Sequence, residues 1–166
     1  MSMEPLTERD IRTSFVNCSK GEAKRLGVPS DLAALPWDDL DFLGYRDPGA
    51  PATGFVVAEN GTGLVGVALR AVKGSARGFT ARSMCSLCLT THSSGGVALM
   101  TARRTGESGR QGNTVGQYFC TDLACSLYIR GHKKAVGTEL TETLTTDEKI
   151  ARTRTNLTTF LARVAE

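Results

Sequence analysis

Four of the five cysteines fall into two pairs, Cys85-Ser-Leu-Cys88 and Cys120-x4-Cys125, with 31 residues between them. Two such pairs in a reduced compartment are the usual ligand set for structural zinc. Thiolates bind Zn²⁺ at about 2.3 Å in a tetrahedron, and a CxxC turn lets two sulfurs reach one ion. A closed four-sulfur site has no open coordination position, so it stabilises a fold and does not catalyse. Cys85, Cys88, Cys120 and Cys125 are therefore the expected ligands of one structural Zn²⁺. The second pair is irregular, because two ligands in a first helical turn are normally spaced CxxC. Either Cys120 ends a strand and Cys125 sits a turn into a helix, or one of them is not a ligand. In the latter case His92 or His132 takes its place. Iron or an iron–sulfur cluster is chemically compatible with the same cysteines. A redox dithiol needs a strand-to-helix junction in a βαβ context, and no such alternation surrounds Cys85. Cys18 lies on an apolar helical stripe and reads as a buried, inert thiol.

Other reactive groups are sparse. The chain has two histidines, too few for a His-based triad without a carboxylate and nucleophile beside one of them. Asp38-Asp39-Leu40-Asp41 reads as a solvated turn. No P-loop is present. Gly61, Gly63 and Gly66 have GxGxxG spacing, but β-type residues follow where a dinucleotide site needs a helix. Neither an enzyme nor a small-molecule substrate is expected.

The elements that must position the cysteines are legible from period and punctuation. Residues 7–26 read as one helix, with Thr7 and Asp10 as its capping signal and Ile11, Phe15 and Cys18 on one face. Gly27 and Pro29 stop it. A turn at Pro36 leads to a short extended stretch holding Phe42, Leu43 and Tyr45. Residues 54–73 form a hairpin about Asn60-Gly61. Residues 74–82 approach the first cysteine pair as a basic, flexible segment. A second hairpin pairs 96–102 with 114–120 across an exposed, mobile loop. Residues 121–130 look helical. The last helix starts at the Thr145/Glu148 capping box and presents Ile150, Leu157, Phe160, Leu161 and Val164. This order implies a single α+β domain over residues 1–166, with antiparallel β-hairpins between N- and C-terminal helices. A treble-clef-like zinc finger is embedded at 82–134.

A chain of 166 residues at 40% hydrophobic composition buries a real core. No run reaches the roughly 20 apolar residues of a membrane helix. The start MSMEPLTERD has no signal-peptide pattern, so a cytoplasmic location and no membrane partner are expected. The formal charge of +3 is unevenly placed. Residues 70–134 carry ten basic and two acidic side chains, or +8, which leaves −5 for the rest. Such a basic module suits RNA, DNA or an acidic protein surface. The expected contact residues are Arg103, Arg104 and Arg110 in the hairpin loop, and Tyr128, Arg130, Lys133 and Lys134 beyond the second cysteine pair.

The runs RSMCSLCLTTHSSGGVALM and RQGNTVGQYFCTDLACSLYIRGHKK resemble the C-terminal treble-clef zinc-finger domain of the elongation factor G-binding proteins. These are the FusB-type fusidic acid resistance proteins and their relatives, short actinobacterial members included. The resemblance extends from TERDIRTSFVNCSKGEAKRL to ELTETLTTDEKIARTRTNL, and its specific part is Cys85 to Lys134. It implies a zinc-stabilised α+β domain that binds elongation factor G. In the resistance proteins that binding helps the factor leave the ribosome when fusidic acid has trapped it. The full-length proteins place a helical domain ahead of the finger, for which 166 residues leave no room. Drug resistance and a housekeeping role in translation are then both open. A zinc-ribbon rRNA-binding protein and a thiol-redox enzyme are the competing readings.

Overall fold

A computed structural model describes residues 3–61, 63–73, 83–93, 95–135 and 142–166. The basic approach segment expected at 74–82 lies outside them. A five-stranded antiparallel sheet has the order β1-β2-β3-β6-β7: β1 Leu43–Arg46, β2 Thr53–Glu59, β3 Leu64–Ala71, β6 Val97–Arg103 and β7 Thr114–Cys120. The short strands β4 Ser83–Met84 and β5 Thr91–His92 pair separately around the first cysteine pair. The two expected hairpins are present and joined edge to edge by Arg70↔Thr101 and Ala71↔Met100.

The apolar run of β2 is buried on both faces. Phe55 and Val57 pack on one side with Met3, Leu6, Ile11 and Trp37. Val56 and Ala58 face the other side, with Phe119, Leu157, Phe160 and the four paired cysteines. A strand covered on both faces shows a continuous hydrophobic run instead of alternation. N-terminal helices thus cover one face, and the metal-site residues and C-terminal helix cover the other.

The first helix is divided. α1 Glu8–Ser14 begins at the expected Thr7/Asp10 capping box, and α2 Lys20–Arg25 has its own cap at Ser19. Between them Phe15 turns extended and bridges Gly66. The Asn17 side chain donates to the carbonyls of Ala68 and Arg103 and accepts from the Ala68 N–H, all at 2.8–3.0 Å. These bonds tie the non-helical link at residues 15–18 to two strands. Arg12 reaches the carbonyls of Ala23, Lys24 and Leu26, offsetting the C-terminal dipole of α2.

Gly66 explains the last glycine of the GxGxxG spacing. A Cβ there would lie 2.3 Å from Ser14 Oγ and 3.1 Å from the Phe15 ring. Gly66→Ala is expected to cost about 1–3 kcal/mol through overpacking. Thermal denaturation would read this as a lowered Tm, and an unchanged Tm would refute the close approach.

The expected mobile loop after β6 contains a helical turn, α3 Gly106–Arg110. It docks on the end of α5 Thr146–Val164, where the Thr105 N–H donates to the Val164 carbonyl at 2.9 Å and Arg104 donates to that of Arg163. The capping box of α5 is formed as expected, and Thr153, Leu157, Phe160 and Val164 are buried. Asp41 departs from the solvated-turn expectation: its side chain is fully buried.

Candidate metal centre

The first pair sits in a tight turn between β4 and β5. Cys85 N–H donates to the Thr90 carbonyl at 3.1 Å, and Leu89 N–H to the Cys85 carbonyl at 3.0 Å. Leu89 takes a left-handed backbone, φ 59°, and the Leu87 N–H points at Cys85 Sγ from 3.4 Å. This knuckle is also tied to β7, because Ser86 N–H donates to the Tyr118 carbonyl at 2.7 Å.

The irregular second pair has a local explanation. Cys120 ends β7 and Cys125 opens the short helix α4 Cys125–Ile129. The residues between them form a turn with Leu123 left-handed at φ 57°. Leu123 N–H donates back to the Cys120 carbonyl at 2.9 Å, and the Asp122 carboxylate accepts from Ala124 N–H at 3.0 Å. The turn brings Cys125 back toward Cys120. The helix expected over 121–130 therefore keeps only its second half.

All four sulfurs lie within 4.8 Å of one another and are buried. Cys85 and Cys125 are 3.7 Å apart, Cys88 and Cys120 3.5 Å. The edge of a zinc tetrathiolate with bonds of about 2.3 Å is about 3.8 Å, whereas a disulfide needs about 2.05 Å. The donor set fits one Zn²⁺. Charge supports the same conclusion. Burial alone would raise Cys85, but hydrogen bonds from Cys120, Cys125 and Cys88 hold its thiol well below the usual value. Those same sulfur contacts, with burial, push Cys125 well above it. A divalent cation among them would favour the thiolate form of all four.

The sulfurs assemble without either histidine. His132 is exposed, with Nε2 3.6 Å from Asp39 Oδ2. His92 is buried beside the cluster, Nε2 3.3 Å from Cys120 Sγ, and its ring meets that of Tyr128 edge-on at 4.7 Å. Desolvation lowers its pKa and keeps the imidazole neutral, so an Nε2–H tautomer can donate to the sulfur. Cys18 is half-buried in the link between α1 and α2, and desolvation raises its thiol.

The seven expected contact residues do not share one patch. Arg103, Arg104 and Arg110 lie at the turn end of the β6–β7 ladder, and Tyr128, Arg130, Lys133 and Lys134 at its cysteine end. Seven strand residues separate the two sets by roughly 20 Å. Arg103 is 3.5 Å from Glu22 and Arg110 3.1 Å from Glu107, while Arg104 caps α5. Tyr128 donates to Asp122 at 2.8 Å, and Lys133 pairs with the same carboxylate. Lys134 is exposed. Arg130 is a correction. Its side chain is only 11% exposed and grips Asp41 through two bonds of 2.7 and 2.9 Å. It is an internal strut, because the buried Asp41 carboxylate needs a charged partner.

Two residues that the sequence reading passed over also touch the centre. Arg152 on α5 donates to the Cys88 carbonyl at 3.2 Å, and Asn156 one turn later donates to that of Leu87 at 2.9 Å. Their i, i+4 spacing places them on one helical face. It does not identify partners 64 and 69 residues away.

A family model described as "FBP C-terminal treble-clef zinc-finger" matches residues 10–164. No curated protein sequence matches. The solved structure of the fusidic acid resistance protein FusC is similar with a TM-score of 0.59 and 12% identity. The match covers 98% of this chain and 60% of that one, so the chain spans about three-fifths of that protein's length. At this identity the likeness is one of fold. No helix among the described residues is long and apolar enough to cross a membrane.

Proposed function

Because the chain belongs to the FBP C-terminal treble-clef zinc-finger family, we propose that it is a zinc-stabilised, non-enzymatic, cytoplasmic protein that binds elongation factor G. The observation that supports this reading is the set of four buried, mutually close sulfurs, a donor set that would fill all four positions of a tetrahedral zinc. The metal then organises a surface. At the cysteine end, exposed Lys133 and Lys134 line the same surface hollow as Met84, which is 50% exposed. Cations flanking an apolar side chain suit an acidic protein surface with a hydrophobic contact. Release of the factor from the ribosome, as in fusidic acid resistance, is the activity such binding would serve.

The ion pairs of Arg103, Arg110 and Lys133 with neighbouring acids weigh against a phosphate-tracking surface. The rRNA-binding alternative requires a steep fall of affinity with salt. The convergence of both cysteine pairs weighs against a redox dithiol built on Cys85 and Cys88 alone.

The test is a calorimetric titration of the zinc-loaded chain against purified elongation factor G at modest salt. Saturable binding is expected, weakened tenfold or more by Lys133→Glu combined with Lys134→Glu. Absence of heat in the titration, with no capture in a pull-down, would overturn the partner.

A further inference from the structure

We propose that α5 controls how tightly and how long the chain holds its metal, with Arg152 and Asn156 as positioning residues for the zinc knuckle. Release of a metal held by all four sulfurs requires each sulfur to let go, Cys88 among them. Moving Cys88 outward carries the Leu87 and Cys88 carbonyls with it, and these accept the bonds from Asn156 and Arg152. Both bonds must break before the knuckle opens. Arg152 is itself held: its two terminal nitrogens bond the Glu142 carboxylate at 2.8 and 3.1 Å. Its Nε is buried without a partner among the described residues. That uncompensated burial shows the guanidinium placed for its outer nitrogens.

The same helix reaches the other ligand pair. Arg154 lies 3.2 Å from Asp41 Oδ1. Asp41 in turn holds Arg130 at the end of α4, and its backbone N–H bonds Ser126 beside Cys125. Residues 152, 154 and 156 therefore connect one helix to both halves of the site. Partners of ligating residues typically change metal affinity 10–100-fold when removed.

The inference rests on the four sulfurs binding zinc, and its test separates the two ideas. Zinc-loaded wild type, Asn156→Asp, Arg152→Gln and the control Thr159→Ala are mixed with excess chromogenic chelator, and zinc transfer is followed in time. Asn156→Asp keeps the side-chain size but replaces the amide donor with an acceptor. We expect release at least tenfold faster in Asn156→Asp and Arg152→Gln, and unchanged in Thr159→Ala. The Co²⁺-substituted proteins add a readout of ligand geometry. A shifted thiolate-to-cobalt absorption band is expected in the two site variants, with far-UV circular dichroism unaltered. If Arg152→Gln does not fold, Asn156→Asp carries the test alone. A wild type that binds zinc, with variants that release it at wild-type rates, overturns the clamp. A wild type that binds no zinc overturns the metal centre and the clamp with it.

Discussion

Replacing Cys88 with serine should empty the metal site and dismantle the half of the core built on it. The sulfur is 3.5 Å from that of Cys120 and is one of four buried, mutually close sulfurs, so its removal leaves three thiolates for the metal. Binding of structural zinc contributes about 10–16 kcal/mol to the folding of small zinc domains. A domain's whole stability is about 5–15 kcal/mol, so loss of the metal is not absorbed elsewhere. Elemental analysis should give one zinc per wild-type chain and close to none in Cys88→Ser. Thiol counting gives an independent measure. With metal bound, Cys18 is the one thiol outside the cluster among five cysteines. Wild type should therefore react once with a thiol reagent when loaded, slowly because desolvation raises that thiol, and five times after chelation and unfolding. A Cys88→Ser protein with full zinc and the wild-type melting curve would remove this residue from the ligand set.

The second large effect is expected at Asp41, far from the metal in sequence. Its side chain is completely buried and neutralises Arg130, itself 11% exposed, with Arg154 at 3.2 Å. Asp41→Ala leaves a buried guanidinium without its carboxylate, which typically costs 3–5 kcal/mol. For a chain of this size that is a fall in Tm of about 10 °C. Asp38→Ala, three residues earlier and exposed, should stay within about 0.5 kcal/mol of wild type. Asp41→Ala and Arg130→Ala should be strongly non-additive in a double-mutant cycle, since the two side chains form one interaction. Additive losses would mean that the pair does not act as a unit.

Local signals carried much of the sequence reading and failed where distant partners intervened. The caps at Thr7 and Thr145 and the turn at Asn60-Gly61 are written in adjacent residues, and the structure forms each of them. The cysteine spacing was enough to anticipate a metal centre, and the four sulfurs do converge. The break in the first helix was not legible in the same way. The bonds that stabilise it join Asn17 to residues 51 and 86 positions away. One local clue did exist, because Ser19 followed by Glu22 is a helix-start signature in the middle of the expected helix. Arg130 has the same history. As a sequence element it was one more surface cation, and only the buried Asp41, 89 residues earlier, makes it internal. The short α4 depends on Leu123 adopting a left-handed backbone, which few non-glycine residues do. The roles of Arg152 and Asn156 were hidden because a helix face records spacing and not what crosses above it.

The bond from Ser86 to the Tyr118 carbonyl has a consequence for solubility. β7 is the last strand of its sheet, and TVGQYFC is a β-prone run with no charge and no proline. Unprotected strand edges of this kind recruit other chains. The knuckle lies along that edge and occupies one of its acceptors. Demetallation thus uncovers a template for intermolecular strand pairing, and the zinc-free chain should leave solution as β-rich aggregate instead of persisting as a soluble unfolded monomer.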